Sequence, residues 1–252
     1  MTADRLFWAG AALMGLGMLA GCGKSTAPTE APSSVASEAA PGATTSSAMP
    51  EAVSSAPVVP LLKAASYPPR DECSALPGWP EFRATLERAV AKRDADALAA
   101  LTDPGVKLDF GGGGGIKEMR ARLPDKDYKL WDAIAALLPL GCAADESGAT
   151  MPWIFARAPD DIDAFSGMLV LGAAVPAYNK PSADSDPVAT LNWAMVTVEE
   201  YQGKSPAFTK VTLPDGKMAY IETTKLRSII DYRLLASRTR QGWRIDALVA
   251  GD

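Results

Sequence analysis

Three cysteines and no histidine set the chemistry open to this 252-residue chain. Without an imidazole there is no Ser-His-Asp or Cys-His arrangement and no ordinary zinc site. Carboxylates are the remaining route to acid–base catalysis, and two clusters offer them: Asp160, Asp161 and Asp163, and the pair Asp94 and Asp96. Hydrolysis needs one carboxyl buried, raised in pKa and set opposite another, a demand that sequence neighbours in a polar loop seldom meet. Asp160 after Pro159 reads instead as the start of a helical turn, and the calcium-loop spacing D-x-[DN]-x-[DN]-G is absent. Five consecutive glycines, 111–115, suit a tight turn, a mobile loop or a cradle for an anion. Asp109-Phe110-Gly111 copies the kinase magnesium triplet in letters only, because the catalytic loop and nucleotide lysine are missing. Gly23-Lys24-Ser25 resembles the end of a phosphate-binding loop, but the first glycine of that motif falls on Met18. These residues predict a protein that is not an enzyme and needs neither metal nor cofactor.

The cysteines then divide by position. Arg5 precedes an apolar run from Leu6 to Leu19, which closes on Leu19-Ala20-Gly21-Cys22. At about 14 residues the run is shorter than the roughly 20 that span a bilayer, which favours a cleaved signal. The four-residue box resembles the processing site of bacterial lipoproteins. That resemblance implies a signal peptide over residues 1–21, diacylglycerol on the Cys22 thiol, and Cys22 as first residue of the mature chain. Gly23, where an Asp would retain such proteins in the inner membrane, implies the outer membrane, with the folded part facing the periplasm. More than one acyl chain makes such an anchor stable. Residues 22–66 are rich in Ala, Ser, Thr, Pro and Glu and lack hydrophobic periodicity, so they read as a disordered tether. As a flexible coil, about 44 residues reach roughly 35–40 Å. The spacer either extends the folded part toward a partner such as the cell wall or only clears the lipid surface.

Cys73 and Cys142 remain, an even pair in an oxidising compartment, and a disulfide is the expected outcome. The alternative, a reactive thiol, has no histidine to activate it. Net charge of −5 and the lack of a basic run argue against nucleic acid.

The elements that must position these residues change character along the chain. Phe82, Leu86 and Val90 recur at helical spacing behind Pro80, Asp94 caps a second helix, and 116–123 and 127–138 read as two more. Residues 67–150 are therefore expected to form a helical subdomain. Beyond 150, short strands dominate: 168–178, 190–201, a hairpin across Pro214-Asp215-Gly216, and a second hairpin from Tyr232 to Val249. The fold class is α+β, with residues 151–252 expected as a small β-barrel.

Within that half, Asn179-Lys180-Pro181-Ser182, Ser185-Asp186-Pro187-Val188 and Asp215-Gly216-Lys217-Met218-Ala219-Tyr220-Ile221 ending at Leu226-Arg227-Ser228 resemble the opening and closing motifs of bacterial SH3-like domains. The resemblance covers about residues 168–230. Ala219 stands where the family often has Gly, and Tyr178 or Asn179 where it often has Arg. It implies an SH3-like barrel that recognises cell-wall peptides or protein segments along an aromatic groove. Candidate ligand residues are Tyr178, Asn179, Trp193 and Tyr220, with Tyr201 and Trp243 as further groove aromatics. On alternating strands aromatics are core residues more often than contacts, and Trp193 and Tyr220 are the more core-like of the set. Three functions remain open at this point: a binding module, a structural lipoprotein of the envelope, and a carboxylate-based wall hydrolase.

Overall fold

The computed structural model describes residues 59–199 and 206–251. The expected signal peptide, Cys22, the expected tether up to residue 58 and Tyr201 lie outside them. Among the described residues no helix is long and apolar enough to cross a membrane.

The chain is α+β and is built on two sheets. Helix α1 (Trp79–Lys92) starts after Gly78 in a left-handed conformation, with a proline in its first turn, and buries Phe82, Leu86, Ala89 and Val90. Asp94 accepts from the amides of Asp96 and Ala97 to cap α2 (Ala95–Ala100). Strand β1 (Thr102–Lys107), α3 (Ile116–Arg122) and α4 (Leu130–Leu137) follow, then β2 (Ala143–Asp145), β3 (Gly148–Met151) and the short α5 (Trp153–Ala156). Seven short strands come next: β4 (Gly167–Val170), β5 (Val175–Tyr178), β6 (Pro187–Leu191), β7 (Met195–Thr197), β8 (Phe208–Thr212), β9 (Met218–Glu222) and β10 (Leu226–Ser228). The long hairpin β11 (Arg233–Thr239) and β12 (Gly242–Val249) ends the described chain.

The final hairpin does not join the strands that precede it. The five-stranded sheet runs β1-β12-β11-β3-β2, so β11 and β12 return to complete the N-terminal half. Their inward residues Leu234, Ala236, Ile245 and Leu248 share a core with Trp79, Leu86, Met119, Leu130 and Ile134 of the helices. The region expected as a helical subdomain is thus a helix-covered sheet. Alternating apolar residues in β11 and β12 need a second layer, and the amphipathic faces of α1 and α4 supply it.

The seven-stranded sheet runs β10-β4-β7-β8-β9-β5-β6. Its order has two ends, β10 and β6, so the expected barrel is corrected to an open sheet. Its interior is small and aliphatic: Val170, Val175, Ala177, Leu191, Val211, Ala219 and Ile221 are all 5% exposed or less. Two breaks limit strand length, at Gly172 with Ala174 (φ 52°) and at Trp193 (φ 47°), where the chain takes left-handed turns between β4 and β5 and between β6 and β7.

The expected tether boundary at Ser66 also moves. Residues 59–72 form a strap that follows the edge of one sheet and then the other. Thr190 of β6 donates to Pro60 O, Leu62 N donates back to Thr190 O, and Tyr67 N donates to Trp193 O. Farther on, Cys142 N donates to Arg70 O and Glu72 N to Cys142 O, beside β2. Both strands so covered, β6 and β2, are edges of their sheets, whose unpaired amides and carbonyls would otherwise face solvent. Leu62 and Ala64 interrupt the polar composition and pack on the seven-stranded core. Gly141 (φ 76°) permits the close pass, because a Cβ there would overlap the backbone of Arg70.

Cys73 and Cys142 are disulfide-bonded, Cα to Cα 5.8 Å, at a sequence separation of 69. Both are fully buried. A third apolar cluster, Ala143, Trp153, Ile154, Leu169, Met195 and Ile229, draws on both sheets and is the seam between them. Glu72 of the strap is fixed there: Trp153 Nε1 and Arg157 Nη2 each donate to its carboxylate at 2.7 Å. The Trp153 bond is the chief reason its pKa lies below the ordinary glutamate value.

Candidate binding face

Strand alternation decides which side chains the seven-stranded sheet presents. On β5, Val175 and Ala177 point inward, so Pro176 and Tyr178 point outward; on β9, Ala219 and Ile221 point inward, which turns Tyr220 and Glu222 out. On β8 the inward residue is Val211, leaving Phe208 and Lys210 on the outer face. The pairing then places these residues beside one another. Tyr178 is the register partner of Tyr220, Tyr220 of Lys210, and Phe208 of Glu222. Directly paired residues on one face are close neighbours. The rings of Tyr178 and Phe208 meet edge to face at 5.8 Å.

Tyr178 and Phe208 also line a cleft of about 570 Å³, with Pro176, Ala183, Glu222 and Lys225 among its other walls. The volume lies within the range of small-ligand sites, roughly 300–1,000 Å³. Two flat aromatic surfaces, a proline, a carboxylate and an ammonium suit an extended peptide, whose apolar side chains rest on rings while its charged ends find counter-charges.

The other sequence candidates divide. Tyr220 shares the outer face despite its core-like pattern, because it is out of phase with Ala219 and Ile221. Asn179 is exposed, and its amide donates to Asp186 O in the loop beyond β5, outside the cleft lining. Trp193 leaves the groove: it sits in the turn before β7, its amide donates to Gly172 O, and its ring packs against the seam cluster. Trp243 belongs to the other sheet, 8% exposed, its ring edge to face with Trp79 at 5.0 Å and its Nε1 donating to Pro77 O. Phe208 is the contact that sequence reasoning missed. Its offset of three from Val211, in a run with strand alternation, was the signal that it faces outward.

The carboxylate clusters do not converge. Asp94 is spent on its cap, Asp96 pairs with Arg120 at 2.6 Å, and Asp160 and Asp161 are exposed. Asp163 accepts from the amides of Phe165 and Ser166 and from the Ser166 hydroxyl, and these bonds, the Ser166 amide foremost, hold its pKa down. Among the described residues no three His, Cys, Asp or Glu side chains gather as a metal site.

The glycine run has a different use. Arg122, 7% exposed, donates to Leu108 O and pairs with both Asp109 and Glu118, while its guanidinium lies 4.4 Å over the Tyr128 ring. The loop folds over this ion cluster, with Gly113 N donating to Asp109 and Gly114 N to Glu118. A Cβ on Gly113 would overlap the Asp109 carboxylate and the Arg122 guanidinium. The amides of Gly113 and Gly114 thus serve carboxylates of the chain itself.

Comparison with protein-family profiles, with curated proteins and with solved structures finds no match to this chain.

Proposed function

We propose that this chain is a non-catalytic lipoprotein of the outer membrane, anchored through lipid on Cys22, whose seven-stranded sheet binds an extended peptide of the cell wall or of a periplasmic protein. The observation that carries the reading is the outward cluster of Tyr178, Tyr220 and Phe208 on three adjacent strands, beside the cleft that Tyr178 and Phe208 line. An aromatic cleft confined to one sheet favours a peptide ligand, whereas a structural role in an assembly calls for an apolar patch shared by both halves. We read the sheet as an opened SH3-like arrangement. Support comes from the extent of β4 to β10, residues 167–228, which matches the stretch carrying the sequence resemblance.

The test is retention of the full chain on purified cell-wall sacculi, compared with Tyr178→Ala and Phe208→Ala. Loss of retention in both variants is expected for a wall ligand. No retention of the folded wild type, together with capture of soluble periplasmic peptides that both variants lose, assigns the face to a protein segment. Unchanged behaviour of the two variants in both assays overturns the reading.

A further inference from the structure

Part of the wall of the Tyr178 and Phe208 cleft is a turn and not a strand. Gly172, Ala173 and Ala174, between β4 and β5, line the cleft together with the two rings. Ala174 stands at φ 52° and Gly172 at φ 129°, and a side-chain-bearing residue keeps a left-handed conformation only where its surroundings fix it. A second left-handed turn, Asn192 with Trp193 (φ 47°) between β6 and β7, does the fixing. Ala174 N donates to Asn192 Oδ1 at 2.6 Å, and Trp193 N donates to Gly172 O at 2.8 Å.

The second turn is itself held by the strap. Ser66 Oγ donates to Asn192 O at 2.7 Å, Tyr67 N donates to Trp193 O at 2.8 Å, and the Tyr67 and Trp193 side chains both pack against the seam cluster. Asn192 and Trp193 therefore bind the strap through their carbonyls and the cleft wall through another polar group, the amide oxygen of Asn192 and the backbone N–H of Trp193. Neither Ser66 nor Asn192 lines the cleft, so what they do for a ligand passes through the turns. We propose that Ser66 and Asn192 are positioning residues of the cleft, and that docking of residues 66–67 sets the shape of the 172–174 wall and with it the affinity for peptide. The inference rests on the peptide-binding reading of this face. By linkage, a ligand that needs the wall in place stabilises the docked strap by the same factor.

The test compares Ser66→Ala and Asn192→Ala with Ser66→Thr, which keeps the donor, and Asn192→Asp, which keeps the acceptor, in the full chain. Two quantities are read: amide hydrogen exchange at Ala174 without ligand, and the affinity for purified cell-wall sacculi. Both alanine variants should speed Ala174 exchange and weaken retention about two- to tenfold, the worth of one hydrogen bond of ordinary net strength. The threonine and aspartate variants should restore both quantities, which a loss of local packing would not predict. Ala174 exchange unmoved by Ser66→Ala, faster exchange with wild-type retention, or losses that the conservative variants do not restore would each overturn the proposal. If the wild type is not retained on sacculi, the wall ligand falls on its own account, and Ala174 exchange in Ser66→Ala alone decides whether the strap positions the wall.

Discussion

The two sheets treat their aromatic residues in opposite ways. In the five-stranded half, Trp79 and Trp243 meet edge to face inside a core shared with α1, α3 and α4, and a disulfide closes that half from the strap to β2. In the seven-stranded half the interior is made of Val, Ala, Leu and Ile, while Tyr178, Tyr220 and Phe208 keep part of their surface in solvent. Large rings in the first half add buried area to a scaffold. In the second they are displaced from a core too thin to need them, and become available to a ligand. Position relative to the sheet, more than residue type, separates the buried aromatics from the solvent-facing ones.

That contrast can be broken or sharpened by substitution. The largest effect is expected from Cys73→Ala with Cys142→Ala. Opening a loop of about 70 residues removes roughly 4 kcal/mol in the chain-entropy account. Urea unfolding followed by near-ultraviolet circular dichroism should show a lower midpoint, and an unchanged midpoint would remove the disulfide from the scaffold's stability. Next comes Gly113→Ala, which should cost about 1–3 kcal/mol by pushing Asp109 away from Arg122. Gly112→Ala meets no neighbouring atom and strains only a positive φ, so it should cost less. Equal losses would mean that the ion cluster is not what selects glycine.

In the other half, Tyr220→Thr preserves strand preference and should cost only about 1 kcal/mol or less. The same variant should lose most peptide retention. A large stability loss with intact retention would make Tyr220 a core residue after all. Smallest of all is the effect of Asp246→Asn on β12. Burial raises the Asp246 pKa above its ordinary value, with Asp103 adding to the rise and Ser237 opposing it. A raised carboxylate pKa favours the fold below the unfolded-state value, near 4, and that contribution is lost as pH rises through the folded value. The variant should therefore gain on the wild type between about pH 4 and neutrality. Asp109 behaves in the reverse sense: its bonds to Arg122 first, then to Gly113, lower its pKa, so its stabilisation is present above about pH 4 and fades on acidification.

Local patterns carried much of the fold. The spacing of Phe82, Leu86 and Val90, the Asp94 cap and the turn at Pro214-Asp215-Gly216 each fix an element with information held within a few residues. Pairings between distant segments left no such trace. Strand β1 lies parallel to β12, with Thr102 opposite Ile245, and it carries Pro104 and Gly105, residues that ordinarily interrupt strands. They are accommodated at a register shift between Thr102 and Lys107, where Gly105 N donates to the Asp103 side chain. The same limit hid the strap: Leu61 and Leu62 are the only leucines of residues 22–66, too short a signal to mark an element, and the strand that orders them, β6, lies more than a hundred residues farther along. At the candidate face, Tyr178 was legible from its place beside a polar loop. Its companionship with Phe208 depended on the order β8-β9-β5, which no local spacing encodes.

The strap gives the molecule a mechanical order of failure. Tension applied from the N-terminal side of Val59 reaches the hydrogen bonds to Thr190 first, then the bond from Tyr67 to Trp193, and then those between Arg70, Glu72 and Cys142. At Cys73 it meets a covalent link to Cys142. A load on Val59 can therefore free about a dozen residues, roughly 40 Å of contour at 3.3–3.6 Å per residue, before it reaches the crosslink and, through Cys73 and Cys142, the helix-covered core. The edge covering of the two sheets is also a slack reserve, one that yields before either sheet does.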